Sequence, residues 1–226
     1  MDNNMQTIMQ KRIERTIEAL RRNRMEACYA ERAADVPGLV ESLLREGDTV
    51  AAGGSVTLAE AGVLELLRSG RYRFLDRDVP DLTPEDVRHI HLGSFDADAY
   101  LTSVNAVTEA GELYYVDGNG NRAAAVLFGP KRVIVVAGVN KIVSDLPAAV
   151  RRVQDTAAPA NVQRLSCATY CRETGRCAGA DRPADLAGIT RGCKTDGRIC
   201  CDYVVVGPQR QSGRIRVILV GEPLGY

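Results

Sequence analysis

The stretch "RVIVVAG", residues 132–138, has no polar side chain between its first and last positions. A strand with one wet face alternates apolar and polar residues. A strand that is apolar on both faces is covered on both, as in parallel sheets layered between helices. This run therefore demands helices on two sides of a sheet, and the rest of the chain supplies them. Met5, Ile8, Met9, Ile13, Ile17 and Leu20 form one apolar stripe, predicting an amphipathic helix within residues 1–24. "MEACYA" reads as a first strand. Asp35 caps a helix ending at Gly47, and "DTVAAGGS" is a strand running into a glycine turn. "TLAEAGVLELLRSG" predicts one helix stopped by Gly70, and "YRFLD" is strand-like. Thr83, followed by Pro84, Glu85 and Asp86, starts another helix. "AYLTSVNAVT" and "GELYYVD" are strands about a turn at Glu109 to Gly111, and "NRAAAVLFG" is a short helix. "SDLPAAVRRVQDTAA" is a capped helix; "DYVVVG" and "RIRVILVG" close the chain as strands. Strand and helix alternate through residue 158. The expected fold class is α/β, an open, mostly parallel sheet flanked by helices, in one domain over residues 1–226.

Open α/β sheets bind ligands at the carboxyl ends of their strands. In "AAGGSVTLAE", Gly53 and Gly54 let the backbone approach a ligand, and Ser55 and Thr57 add hydroxyls. The stretch is neither a Walker loop nor GxGxxG, and a plain strand-to-helix turn reads equally well. Other strand ends also carry polar groups out of apolar surroundings. They are Ser103 and Asn105; Asp117, Asn119, Asn121 and Arg122; and Asn140 and Lys141. Each alone is an ordinary turn. Together at one sheet edge they predict a crevice for a small anion, with Arg122 and Lys141 supplying charge. His89 and His91 are the only histidines, and they read as a helix-end pair rather than a metal site or part of a triad.

Six of the seven cysteines fall in the segment from 160 to 202, spaced C-x3-C-x5-C-x15-C-x6-C-C from Cys167 to Cys201. The segment is poor in apolar residues and periodicity, so a bound metal would give it the organisation that a core cannot. Four thiolates can hold zinc or an iron–sulfur cluster. The spacing is neither a zinc ribbon nor a ferredoxin run. Zinc, a cluster, a redox thiol pair and reduced thiols without metal all remain open. Cys28 stands apart in the first strand and reads as core.

Hydrophobic residues make up 45% and charged residues 26%, with a formal net charge of zero, which argues against nucleic-acid binding. No apolar run approaches the roughly 18 residues of a membrane helix. The N-terminal stretch lacks a signal-peptide core, so a cytoplasmic location is expected. In a reducing cytosol, clustered cysteines point to metal or redox chemistry rather than disulfides.

"LTSVNAVTEAGELYYVDGNGNRAAAVLFGPKRVIVVAGVNKIV" closely resembles the LUD-domain family, the lactate-utilisation proteins of the LutC and YkgG type. The resemblance extends from "GGSVTLAEAG" to "VILVGEPLGY". It implies a fold like the NagB, ribose-phosphate isomerase and CoA-transferase superfamily. It also implies that Gly53, Gly54, Ser55, Ser103, Asn105, Asp117, Asn121, Arg122, Asn140 and Lys141 line the ligand crevice. The match transfers a location and not a reaction; Glu60, Glu109 and Glu222 are nucleophile candidates by position only. One branch of the family carries a cysteine before Thr-Gly, a second and third cysteine, and a late Arg-Ile-Cys. These correspond to Cys171, Cys177, Cys193 and Cys200 as metal ligands, with Cys167 in reserve and Cys201 spare. The sequence departs from that pattern at "AGADRPADLAGITRG", which looks like an inserted loop.

Lactate-utilisation systems of this family work with iron–sulfur partner proteins, which favours a cluster over zinc or no cofactor. The resemblance thus implies a redox accessory or catalytic subunit in oxidation of lactate or a related 2-hydroxy acid. Two alternatives stand beside it: a small-molecule-binding or regulatory domain with a structural zinc, and a sugar-phosphate or CoA-dependent enzyme. The apolar stripe of the first helix serves either a homodimer or the sheet it covers.

Overall fold

The computed structural model describes residues 2–181 and 189–226. Helix α1 (Asn3–Arg22) begins at Asp2, whose carboxylate accepts from the Asn4 and Met5 amides at 2.8 and 3.1 Å. Strand β1 (Glu26–Ala30) leads into α2 (Val36–Leu43) and β2 (Thr49–Ala52). The stretch expected to form one helix after the glycine turn forms two, α3 (Val56–Glu60) and α4 (Val63–Leu67). Gly62, at a φ of 68°, breaks them. Strand β3 (Arg73–Leu75) and helix α5 (Pro84–Gly93) follow. Thr83 and Asp86 close a reciprocal capping box at the start of α5.

"AYLTSVNAVT" divides between two sheets. Strand β4 (Ala99–Thr102) joins the main sheet, whereas β5 (Ala106–Thr108) forms a hairpin with β6 (Leu113–Asp117). Helix α6 (Asn121–Phe128), β7 (Val133–Gly138), a 3-10 turn (Val139–Lys141) and the short β8 (Ile142–Val143) come next. The expected helix after residue 144 is longer than its sequence signal. Helix α7 (Leu146–Arg152) passes through a π-helical turn (Val153–Ala157) into α8 (Ala158–Leu165). Helix α9 (Tyr170–Thr174), β9 (Asp202–Val206) and β10 (Ile215–Val220) complete the order. The stretch that resembles an insert, 178–192, lies partly outside the described residues.

The main sheet runs β1-β10-β7-β4-β2-β3, and every neighbouring pair is parallel. Both faces are covered, as the apolar run at β7 requires. Val133, Val135 and Ala137 face one core with Ile13, Ile17 and Leu20 of α1. Ile134 and Val136 face another, with Val36, Val40, Leu58 and Leu67 from α2, α3 and α4. The stripe of α1 is thus spent on the sheet, although Met5 and Ile8 in its first turns remain exposed.

A second sheet, β8-β5-β6-β9, was not legible as a separate layer. It is sandwiched in turn. Val107, Leu113 and Tyr115 pack toward the main sheet, while Ala106, Tyr114 and Val116 pack against Ala149, Val150, Val153 and Ala157. This places the π-helical turn over the carboxyl end of β6. The carboxyl ends of β2, β4 and β7, which are neighbours in the main sheet, open onto the same region.

Candidate functional site

A crevice of about 220 Å³ lies at these strand ends. It gathers Gly54 and Ser55 after β2, Ser103 and Asn105 after β4, Asp117 at the end of β6 with Asn121 and Arg122 after it, and Lys141 after β7. Gly53 sits just behind, where a Cβ would come within 2.9 Å of the Tyr100 hydroxyl and 3.2 Å of Thr102 Oγ1. Only glycine lets β2 approach β4 this closely. Asn140 takes a different position: it is exposed and holds the chain end, donating to the Gly225 carbonyl at 2.9 Å and accepting from the Leu224 amide at 3.1 Å. The tail held in this way brings Tyr226 into the crevice wall.

Arg122 is committed to the protein. Its Nε donates to Asp117 Oδ1 at 2.7 Å, and one Nη donates to Asn105 Oδ1 and the Val116 carbonyl at 2.9 Å each. The other Asp117 oxygen accepts the Ala123 amide at 2.7 Å, where the left-handed Gly120 turns the chain into α6. The guanidinium also stacks 5.3 Å from the Tyr115 ring. This pair knits β6, α6 and the β4–β5 link together, and its charge is compensated. Arg122, expected to supply positive charge, lines the crevice and also braces it through Asp117.

Lys141 differs. It is 2% exposed, and its Nζ donates to two neutral hydroxyls, Thr57 Oγ1 at 2.8 Å and Ser103 Oγ at 3.0 Å. Among the described residues no carboxylate pairs with it. Burial, then the Arg152 and Arg122 charges, pull its amine down to about 7, with Glu60 opposing. Arg152 is a group that sequence reasoning missed. It donates to the carbonyls of Asn140 at 2.9 Å and Asn105 at 2.7 Å, and burial lowers its guanidinium to about 10. Its signal was an arginine three residues after the buried Ala149 on one helix. Arg77 and Arg164 also line the crevice, so its balance is cationic in a chain of zero net charge.

The three carboxylates considered by position all hold backbone or basic groups. Glu60 accepts the Gly225 amide at 2.6 Å, Glu222 accepts the Ala33 amide at 2.8 Å, and Glu109 pairs with Arg12 and Arg15. His91 stands at the rim, 3.4 Å from both Arg77 Nη1 and Asn121 Nδ2, and burial lowers its pKa. His89 pairs with Glu85 on the surface.

Cys171, Cys177, Cys193 and Cys200 all line one small recess, walled by Tyr114, Val150, Val153 and Tyr203. Arg198 secures the loop that presents the last two, donating to the carbonyls of Cys200 at 2.7 Å and Cys193 at 2.8 Å. The Gly179 amide and the Thr195 hydroxyl donate to the sulfurs of Cys177 and Cys193 at 3.4 and 3.5 Å. Burial, and then the neighbouring Cys177 and Cys171 sulfurs, push the Cys200 thiol up to about 12. Cys28, Cys167 and Cys201 do not face the recess.

Yet among the described residues no three His, Cys, Asp or Glu side chains come together as one bound ion needs. Around tetrahedral zinc, with Zn–S bonds of about 2.3 Å, sulfurs stand about 3.8 Å apart. A cluster spreads its thiolates over several iron atoms. The four thiols thus share one recess without three of them, as placed, forming a site for an ion. The recess and the crevice share one wall, formed by Val153, Ala158 and Cys200. The π-helical turn begins at Val153 of that wall, and such turns concentrate at functional sites.

A family model described as the LUD domain matches residues 13–220. A crystal structure of a DUF162 family protein from Deinococcus radiodurans is 20% identical, covers 96% of this chain and 98% of its own, and has a TM-score of 0.51. That likeness bears on the fold alone. eIF2B beta from Chaetomium thermophilum matches at 17% identity over 50% of this chain and 39% of its own, with a TM-score of 0.34. The tetrameric eIF2B-beta2-delta2 complex from the same organism matches at 18% identity over 50% and 46%, with a TM-score of 0.35. Neither eIF2B likeness is close enough to carry an argument. The comparison with curated proteins gave no match. No helix among the described residues is long and apolar enough to cross a membrane.

Proposed function

Because the chain belongs to the LUD domain family, which is linked to lactate utilisation, we propose that it is a redox subunit in the oxidation of lactate or a related 2-hydroxy acid. The crevice binds the acid, and Cys171, Cys177, Cys193 and Cys200 hold an iron–sulfur cluster. The observation that carries this reading is the shared wall: Cys200, Val153 and Ala158 border both the cationic crevice and the thiol recess. A ligand in the crevice would border Cys200, which also lines the recess. The chain's own residues divide the work. Arg77 and Arg164 attract the carboxylate, while Ser103 and Thr57 fix the Lys141 amine beside it. Arg198 and the hydrogen bonds to the sulfurs orient the cysteines, the kind of outer contact that tunes a metal centre. A bound cluster would supply one-electron transfer.

Purification and reconstitution without oxygen test the cluster. We expect a coloured protein with stoichiometric iron and sulfide, and Cys177→Ser and Cys200→Ser should each lose more than the roughly 10–100-fold in metal affinity that outer contacts contribute. A colourless, iron-free protein, or unchanged iron in both variants, would overturn the metal half. Calorimetry with lactate and pyruvate tests the anion half: no heat of binding with either would remove it.

A further inference from the structure

We infer that Lys141 is a carbonyl-capturing amine, whose Nζ condenses with the keto carbon of a small 2-oxo acid in the crevice to form a covalent imine. The inference rests on the proposal that the crevice takes 2-hydroxy and 2-oxo acids, and it names a chemical step at that site. A lysine whose task is only to hold an anion, or to brace the fold, is best kept protonated beside a carboxylate. Lys141 has the opposite setting. It is buried at the end of β7, and its two polar contacts are the Thr57 and Ser103 hydroxyls. The carboxylate whose charge reaches it, Glu60, makes no ion pair with it and accepts the Gly225 amide instead, while Asp117 in the crevice lining is taken up by Arg122 and the Ala123 amide.

The charged groups facing the amine are Arg152 from α7 and Arg122 from α6, opposed by Glu60 from α3. Desolvation beside other cations is how proteins make an amine nucleophilic near neutral pH. With the amine neutral, both of its N–H bonds are directed to the two hydroxyl oxygens, and the lone pair is left for an electrophile. Burying an amine this way costs stability, and such a cost is concentrated at functional sites. Arg77 and Arg164 in the same crevice provide charge for the carboxylate of the acid.

The step balances without an oxidant. The nitrogen lone pair forms the C–N bond as the carbonyl π pair moves to oxygen, which takes up a proton. The nitrogen then gives up both of its hydrogens, the oxygen departs as water, and the C=N bond closes. Hydrolysis reverses it. Thr57 and Ser103 stand within hydrogen-bond reach of the nitrogen to relay these protons.

The test is reductive trapping of the whole chain with pyruvate and cyanoborohydride, followed by peptide mapping. Of the lysines Lys11, Lys131, Lys141 and Lys194, only Lys141 is expected to gain the reduced pyruvyl group, saturably and with competition by lactate. Lys141→Met should show no adduct while retaining a cooperative melting transition. Pyruvate binding by calorimetry without an adduct on Lys141 overturns imine formation and leaves the crevice standing. Adducts spread equally over the surface lysines also overturn it. Absence of both binding and adduct removes the crevice reading together with the inference.

Discussion

The crevice and the thiol recess share a wall but are held in shape by different means. In the crevice, strand ends deliver the polar groups and the protein's own hydrogen bonds fix them. Asn105 alone meets Arg122, Arg152 and the Val116 amide. In the recess, helix α9 and the loops after it deliver four sulfurs to one small space without drawing any three of the described residues' ligating groups together tightly enough for an ion. A preorganised polar site is complete as folded, whereas a thiol site reaches its final form only with metal, because binding and local folding are one event there. The contrast teaches where stability is stored on one side of the wall, in the Arg122 brace, and what the proposed cluster would have to supply on the other.

Breaking the brace gives the largest expected effect. Arg122→Ala leaves Asp117 buried and unpaired, with side chains only 17% and 6% exposed in the intact pair. A loss of about 3–5 kcal/mol follows for a broken buried pair. Urea unfolding would measure it, in metal-free and loaded protein alike. A loss under about 1 kcal/mol would mean that the crevice is no more self-supporting than the recess.

Lys141→Met gives a smaller effect of opposite sign. The folded amine sits near 7 against an ordinary 10.5. Between those values the unfolded chain binds more protons, so stability rises with pH; the penalty of burying the charge is full below about 7 and gone above 10.5. The methionine variant lacks that penalty. It should be more stable at pH 6–7 by about 1–4 kcal/mol, as when buried charges yield to apolar packing. Its advantage should shrink as pH rises toward 10. Melting curves across that range check it, and a variant less stable at every pH would show that Lys141 braces the fold instead.

How much of this was legible in the sequence follows the same divide. "RVIVVAG" announced a doubly covered parallel strand because apolar residues on both faces admit no other environment. The polar strand ends meet at one cavity because the backbone of a parallel sheet fixes where its carboxyl ends open. What sequence could not show was pairing. Arg122 and Lys141 are both cations at strand ends, and only the fold reveals that Asp117 neutralises one and leaves the other to two hydroxyls. Asn140 shared their signal but serves the chain end. The second sheet stayed hidden because β5, β6, β8 and β9 span two to five residues each. Their pairing depends on contacts far apart in sequence, such as Tyr114 with Val205. The four cysteines line one recess, but no three of them gather as an ion needs among the described residues, because spacing across loops carries no distance.

The smallest effect is the sharpest test of the contrast. Cys193 is partly exposed, and its sulfur accepts one hydrogen bond from the Thr195 hydroxyl at 3.5 Å. Serine keeps that acceptor and almost the same volume. In metal-free protein Cys193→Ser should therefore change stability by less than about 0.5 kcal/mol, as ordinary partly exposed sites do. In reconstituted protein the same substitution removes a ligand, so the variant should forfeit the extra stability that metal binding gives the folded state. The quantity to measure is the gap between the two unfolding curves, with and without metal, for parent and variant. A large loss in the metal-free chain would mean that the recess supports itself as the crevice does. No change in the gap would take Cys193 out of the proposed ligand set.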